Sequence, residues 1–397
     1  MSWPIVQLSD VAEQCLGKML DKQKNKGTPM PYLRNPNVRW FEVDTSDLQM
    51  MPFEDHEHDR FGLKEGDIVI CEGGEAGRAA IWDGRLPDLK FQKAIHRVRP
   101  KSQLHNRYFV HRLMADYHAG RLNDYYTGTT IKHFTGKNLK RYRFPLPPLS
   151  EQKRIAEILD RAEALRAKRR AALALLDELT QSIFLDMFGD PVSNPMGWKR
   201  VKFGDILENI DSGWSPKCLD RPVRNGEWGV LKLGAVTWCE YDPSENKALP
   251  PDVEHRPELE VRPGDLLFTR KNTYHLVAAC ALVRDTPPRL MLPDLVFRFR
   301  LANDAEIDSV FLQRLLVHPA KRRTIQKLAG GSSGSMPNIS KAKLKTVVIE
   351  LPPLKLQKTF AARVKGIEEI RESLRESTRS LDQLFASLQH RAFRGEL

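Results

Sequence analysis

A double-proline stop followed by a long amphipathic run occurs twice in this chain, as FPLPPLSEQKRIAEILDRAEAL from Phe144 and as IELPPLKLQKTFAARVKGIEEI from Ile349. The correspondence covers nearly the whole sequence. Trp3-Pro-Ile-Val6-Gln-Leu8-Ser-Asp10-Val11 pairs with Trp198-Lys-Arg-Val201-Lys-Phe203-Gly-Asp205-Ile206. Gly66-Asp67-Ile68 pairs with Gly264-Asp265-Leu266, Tyr108–Met114 with Val310–Leu316, and Leu146–Leu149 with Leu351–Leu354. The four offsets are 195, 198, 202 and 205 residues, a slow drift of the kind that small loop insertions cause. Such a duplication limits the fold to two copies of one unit, each a globular domain followed by a helix.

Pro147 and Pro148 forbid helix before Leu149, and Ser150 supplies an N-cap. Ile155, Ile158, Ala162, Leu165, Ala172, Leu176, Leu179 and Ile183 then form a heptad stripe, interrupted at Arg169 and ended by Gly189-Asp190-Pro191. About 38 residues at roughly 1.5 Å each predict a rod near 57 Å. The second helix carries Phe360, Val364, Ile367, Ile370, Leu374, Leu381, Leu384 and Leu388 and ends near Gly395. Its cap is weaker, because Lys355 stands where the first copy has Ser150. Each stripe can pack on its own domain, but two matching stripes that each close a repeat fit better as partners of one another. The globular parts mix β-rich runs (GDIVICEGG, AIHRVRP, GDLLFTR, LVFRFRL) with one or two helices. The predicted fold class is therefore α+β: two pseudo-repeated globular domains, 1–149 and 191–350, separated by a long antiparallel coiled-coil helix pair, 150–190 and 351–397.

Composition fits a globular protein, with 41% hydrophobic and 29% charged residues among 397. No apolar run is long enough to span a bilayer, and the start lacks a secretion signal, so a cytoplasmic location is expected. Five dispersed cysteines argue against a disulfide framework or a zinc ribbon. A net charge of +12 favours an anionic partner, with nucleic acid first. The charge is concentrated: Lys90–Arg143 holds thirteen Lys or Arg against Asp116 and Asp124, and Ser309–Ile349 holds eight against no acid. These windows close the two domains at matching positions. The first is interleaved with Tyr108, Tyr117, Tyr125, Tyr126, Phe134 and Tyr142. One-signed, aromatic-interleaved segments suit a phosphate backbone, whereas an ordinary solvated surface mixes signs.

Each window contains a polar loop just before the proline pair, TGTTIKHFTGKN (Thr127–Asn138) and GGSSGSMPNISK (Gly330–Lys341). The candidate DNA contacts are Lys132, His133, Lys137 and Asn138 in the first loop, and Ser333, Ser335, Asn338 and Lys341 in the second. Arg270, Lys271 and Asn272, after the GDLLFT run, and the cluster Lys321, Arg322 and Arg323 complete the set. No phosphate-binding loop, dinucleotide fingerprint or aminomethyltransferase motif is present. Asp88-Leu-Lys90 is a chance-length fragment of a nuclease signature, and His56 and His58 in EDHEHDR read as a polar loop rather than a metal site. No catalytic residue and no metal ligand is expected.

Two variable domains, each followed by Leu-Pro-Pro-Leu and a long heptad helix, resemble the specificity subunits of type I restriction-modification systems. The residues that carry the resemblance are PLPPLSEQKRIAEILD from Pro145, DELTQSIFLDMFGDP from Asp177, LDQLFASLQHRAFRGEL from Leu381, and the Gly-Asp pairs at Gly66 and Gly264. The resemblance implies two target-recognition domains reading halves of a split double-stranded DNA site. It implies that the helices space the half-sites and dock two methyltransferase subunits, with Ile155, Ile158, Leu165, Leu176, Leu179, Val364, Ile367, Leu374, Leu381 and Leu388 as the docking and pairing positions. Restriction subunits would join through the methyltransferases. S-adenosylmethionine, ATP and Mg²⁺ would belong to those partners, leaving this chain without cofactor or catalysis. The competing readings are a stand-alone bipartite DNA-binding scaffold or regulator, and a divergent nuclease using Asp88 and Lys90.

Overall fold

The structure is a computed structural model that describes residues 3–21, 23–330 and 336–397. It divides into two compact units, one of residues 1–170 with 376–397 and one of residues 171–375. Each unit is built on a four-stranded antiparallel sheet. In the first, Ala12–Leu16, Ile95–Pro100, Ile68–Cys71 and Ala79–Ile81 lie side by side in that order. In the second, Leu207–Ser212, Val296–Leu301, Leu266–Thr269 and Cys280–Leu282 repeat the order strand for strand. A three-stranded sheet and a two-stranded ribbon also recur in both. In each ribbon the entering strand pairs with the strand before the proline pair: Ile5–Gln7 with Arg143–Pro145, and Lys199–Lys202 with Val348–Leu351.

The Gly-Asp pairs show why these strands begin where they do. Gly66 and Gly264 take positive φ, 86° and 94°, which glycine accepts without strain. The next carboxylate closes the turn: Asp67 accepts from the Lys64 amide at 2.7 Å, and Asp265 from the Arg262 amide at 2.9 Å. Asp67 also takes both arms of Arg99 at 2.7 Å, and Arg300 stands 3.6 Å from Asp265. Strand residues Ile68, Val69, Ile70 and Leu266, Leu267, Phe268 are buried on both faces. One face of each sheet meets the domain's helix (Asn106–His118 or Ser309–Val317) in the main core. The other meets the three-stranded sheet in a second core.

The helices run Leu149–Phe188 and Leu354–Ala392, 40 and 39 residues, and each contributes to both units. They are antiparallel wherever they meet. In the first unit Arg154 donates to the Leu397 carbonyl and Arg166 to Asp382 at 2.6 Å. In the second, Arg371 pairs with Asp177, and the rings of Phe184 and Phe360 pack edge to face at 5.7 Å. The seam follows the stripe read from the sequence only in part. Ile155, Phe360, Val364 and Ile367 are in it, joined by Leu159, Thr180, Phe184, Phe188 and Phe385. Ile158, Leu176, Leu374, Leu381 and Leu388 are half-buried beside it. Leu165 and Leu179 are 52% and 45% exposed, as are Ile370 and Leu384 at 54% and 52%. Apolar pairs at adjacent positions, such as Ile158-Leu159 and Leu175-Leu176, let the pattern fit two lines one residue apart. The bulkier residues at Phe184, Phe188 and Phe385 decide between them. No helix among the described residues is long and apolar enough to cross a membrane.

One residue in each copy fastens helix to domain. Gln152 and Gln357 lie one turn inside their helices and are fully buried. The Gln152 amide donates to the carbonyls of Pro147 and Gln103 at 2.8 and 2.9 Å, and its oxygen accepts from the His105 amide at 2.8 Å. Gln357 repeats this with Pro352, Glu306 and the Asp308 amide at 2.7, 3.1 and 2.8 Å. Both amide groups serve the segment before the domain's own helix, so the long helix leaves the domain at a fixed angle.

Candidate nucleic-acid interface

The two polar loops occupy the same place in the two copies. Thr127 and His133 exchange backbone hydrogen bonds at 2.9 and 2.8 Å, closing the first loop at its neck. Gly330 and Asn338 do the same at 3.0 Å in both directions, closing the second. The residue after each neck then pins the loop to the end of the central strand: the Phe134 amide donates to the Glu72 carbonyl at 2.7 Å, and the Ile339 amide to the Arg270 carbonyl at 2.9 Å. Sequence, backbone bonding and topology thus agree on one duplicated surface feature, a closed loop at the end of a buried strand. Beneath the first loop, His96 Nε2 donates to the Phe134 carbonyl at 2.9 Å, and burial pulls its pKa down to about 4, so the ring is neutral there.

In the first copy Lys132 and His133 are exposed, with Lys132 donating to Asn123 Oδ1 at 2.8 Å and lying over the Tyr126 ring. Lys137 is exposed and makes no hydrogen bond to a described residue. Asn138 is turned inward, its amide donating to the Tyr125 carbonyl at 2.9 Å. In the second copy Arg270 lies over Phe297 with Nε on the Asp294 carbonyl at 2.8 Å and Nη1 on Asn338 Oδ1 at 3.2 Å. Lys271 pairs in a β-bridge with Asn338, and Lys341 also stands over Phe297. Arg270, Lys271, Asn338 and Lys341 are therefore gathered on one half-exposed surface. Ser333 and Ser335 fall outside the described residues.

Three candidates are structural instead. Asn272 is 6% exposed, its amide on Thr237 Oγ1 and its oxygen on the Thr273 amide, which shapes the turn after the strand. Lys321 is 4% exposed and ion-paired with Glu350, and burial lowers its pKa although the carboxylate raises it. Arg322 is half-buried and its Nη2 donates to the carbonyls of His275, Leu276 and Val277, so it holds that turn. Of this cluster only Arg323 remains an exposed cation.

The basic windows shrink in the same way. Acids from outside them, Asp67, Asp160, Glu350 and Glu368, neutralise Arg99, Arg107, Lys321 and Arg314. Arg97 is buried beneath the carbonyls of Arg60 and Gly62. Three of the six interleaved aromatics fill the core: Tyr108, Phe134 and Tyr142 are at most 1% exposed, while Tyr117, Tyr125 and Tyr126 are half-buried. Among the described residues of the windows, the exposed cations without an acidic partner are Lys93, Lys101, Lys132, Lys137, Lys140, Arg141 and Arg143 in one copy and Arg323, Lys327, Lys343 and Lys345 in the other, against the single exposed acid Asp124.

Sequence reasoning missed Glu72 and Gly73, because GDIVICEGG was read as a β-rich run. The 198-residue offset between the Gly-Asp pairs carried the signal, since it places Glu72 opposite Arg270 and Gly73 opposite Lys271. Lys90 is buried and donates to the His58 carbonyl at 3.2 Å, so Asp88-Leu-Lys90 presents no free nuclease lysine. Among the described residues no group of three or more His, Cys, Asp or Glu is placed to hold a metal.

Residues 2–174 match the family model described as the type I restriction modification DNA specificity domain. The EcoEI specificity subunit of Escherichia coli is 34% identical over 194 residues, which are 49% of this chain and 32% of that protein. The EcoKI specificity subunit of Escherichia coli (strain K12) is 24% identical over 420 residues, 100% of this chain and 89% of that one. The crystal structure of a type I restriction-modification S subunit from M. genitalium has a TM-score of 0.57 at 14% identity, covering 99% of this chain and 96% of that one. A chain from a structure of the type I R-M system gives 0.55 at 18%, covering 100% and 98%. The fold is shared over the full length.

Proposed function

Through the specificity domain at residues 2–174, this chain belongs to the family of type I restriction-modification specificity subunits, and on that premise we propose that its two repeats each read one half of a split duplex-DNA site. The carrying observation is the duplicated loop, closed at its neck and pinned to the end of the same strand in both copies, with cations around it that have no acidic partner among the described residues. Closed loops on rigid strands hold side chains at fixed positions along a groove, while the surrounding lysines supply sequence-independent attraction to phosphates. Each repeat alone is a weak reader. Two readers on one chain gain affinity through effective concentration.

The long helices are the second element of the proposal. Their antiparallel seam and the Gln152 and Gln357 fasteners suit a spacer that sets the distance between half-sites. The exposed leucines Leu165, Leu175, Leu179 and Leu185 on the first helix suit docking of two methyltransferase subunits, through which restriction subunits join. In this reading S-adenosylmethionine, ATP and Mg²⁺ sit on those partners, and this chain recognises without catalysing. The test is an exchange of residues 1–149 for the matching part of a related subunit, followed by mapping of the methylated motif. One half of the motif is expected to change. A change in both halves, or recovery of this chain from its host with no methyltransferase bound, overturns the proposal.

A further inference from the structure

At the pinned end of the central strand the two copies differ in charge. The first has Glu72 and the second Arg270, in equivalent positions on the same backbone hydrogen bond. Glu72 is half-buried, and its carboxylate makes no hydrogen bond or ion pair with any described residue. Burial raises its pKa, while His133 and Lys93 nearby pull the other way. Gly73 lies directly beneath the His133 ring, and a Cβ there would stand 3.2 Å from Cε1 and Nδ1. The absence of a side chain at Gly73 leaves room for that ring.

A carboxylate near Lys93 is costly on a surface meant for phosphates, since it repels the backbone that the lysine attracts. That cost is offset where the carboxylate meets a donor that only a base supplies. In the major groove the donors are the exocyclic amino groups of cytosine (N4) and adenine (N6). An ionised carboxylate only accepts. Guanine O6 and N7 accept, and an arginine suits them. Arg270 is held by Asp294 and Asn338 through Nε and Nη1, which leaves Nη2 without a partner among the described residues.

Resting on the DNA-reading role above, we propose that the residue at this strand end reads a base in each half-site, with Glu72 accepting from the amino group of a cytosine or adenine and Arg270 donating to a guanine. The two halves of the site are then chemically unlike at matching positions.

The test uses the full chain, tagged and recovered from its host with its bound subunits, selecting from a randomised duplex library. Glu72→Gln keeps the shape and removes no protein hydrogen bond. It is expected to relax one cytosine or adenine in one half-site by roughly 10- to 100-fold, and the base lost tells the two apart. Arg270→Gln is expected to relax one guanine in the other half. A motif that Glu72→Gln leaves unchanged, or that it alters in both halves, overturns this assignment while the DNA-reading role stands. A wild-type chain that enriches no sequence overturns that role itself.

Discussion

Lys321, Arg322 and Arg323 stand side by side and do three different things: Lys321 pairs with Glu350, Arg322 holds the turn at Leu276, and Arg323 faces solvent. Lys321→Ala leaves the buried Glu350 with Arg200 alone, at 3.5 Å, and is expected to cost at most roughly 3–5 kcal/mol, read as a fall in melting temperature. Arg323→Ala is expected to leave melting unchanged and to lower the salt slope of DNA binding by about 0.9 if it meets one phosphate. A larger stability loss from Arg323→Ala than from Lys321→Ala would reverse the assignment. His96 supplies a pH dependence. Its folded pKa of about 4 lies below the unfolded value of 6.5. Between those values the unfolded state binds more protons, so stability is complete above pH 6.5 and falls as pH drops toward 4. The loss is at most about 3 kcal/mol. The first repeat, whose loop His96 supports, is expected to loosen before the second in an acid titration followed by hydrogen exchange. Charge counting read the windows correctly as basic. It missed which cations are consumed, because Asp67, Asp160, Glu350 and Glu368 arrive from far along the chain.

At the scale of elements, the proline pair and the helices after it were legible, since proline and heptad spacing act locally. The seam was legible only to within one residue, because ring volume at Phe184, Phe188 and Phe385 chose the line. The glutamines were not legible: nothing about an isolated Gln152 or Gln357 shows that a carbonyl about fifty residues away in sequence needs its amide. Gln152→Ala leaves the His105 amide and two carbonyls unpaired and is expected to cost roughly 1–3 kcal/mol. The informative measurement is exchange at the His105 amide, which should accelerate while exchange along the Ala12–Leu16 strand does not. Uniform acceleration would show general destabilisation in place of a loosened joint.

For the whole molecule the helices are the proposed ruler. Four residues inserted near Ala171 add about 6 Å at 1.5 Å per residue and nearly complete a turn, which keeps the seam in register. At about 3.4 Å per base pair this predicts a spacer longer by one or two base pairs, with both half-sites unchanged. Two inserted residues turn the following seam by about 200° and should damage assembly. A four-residue variant that methylates the original spacing undiminished would show that the helices do not set it. The ends of the helices carry a further consequence. The Leu149–Phe188 helix stops at Gly189 (φ 74°) and hands over to Trp198, whose indole donates back to the Phe188 carbonyl at 2.8 Å. The Leu354–Ala392 helix stops by Gly395, also at φ 74°, which packs against Trp3. The same handover is thus made twice, once through peptide bonds and once by contact alone. Joining Leu397 to Trp3 with a short polar linker and opening the chain within residues 190–197 should therefore give a permuted polypeptide in which each unit keeps its fold and its sequence preference.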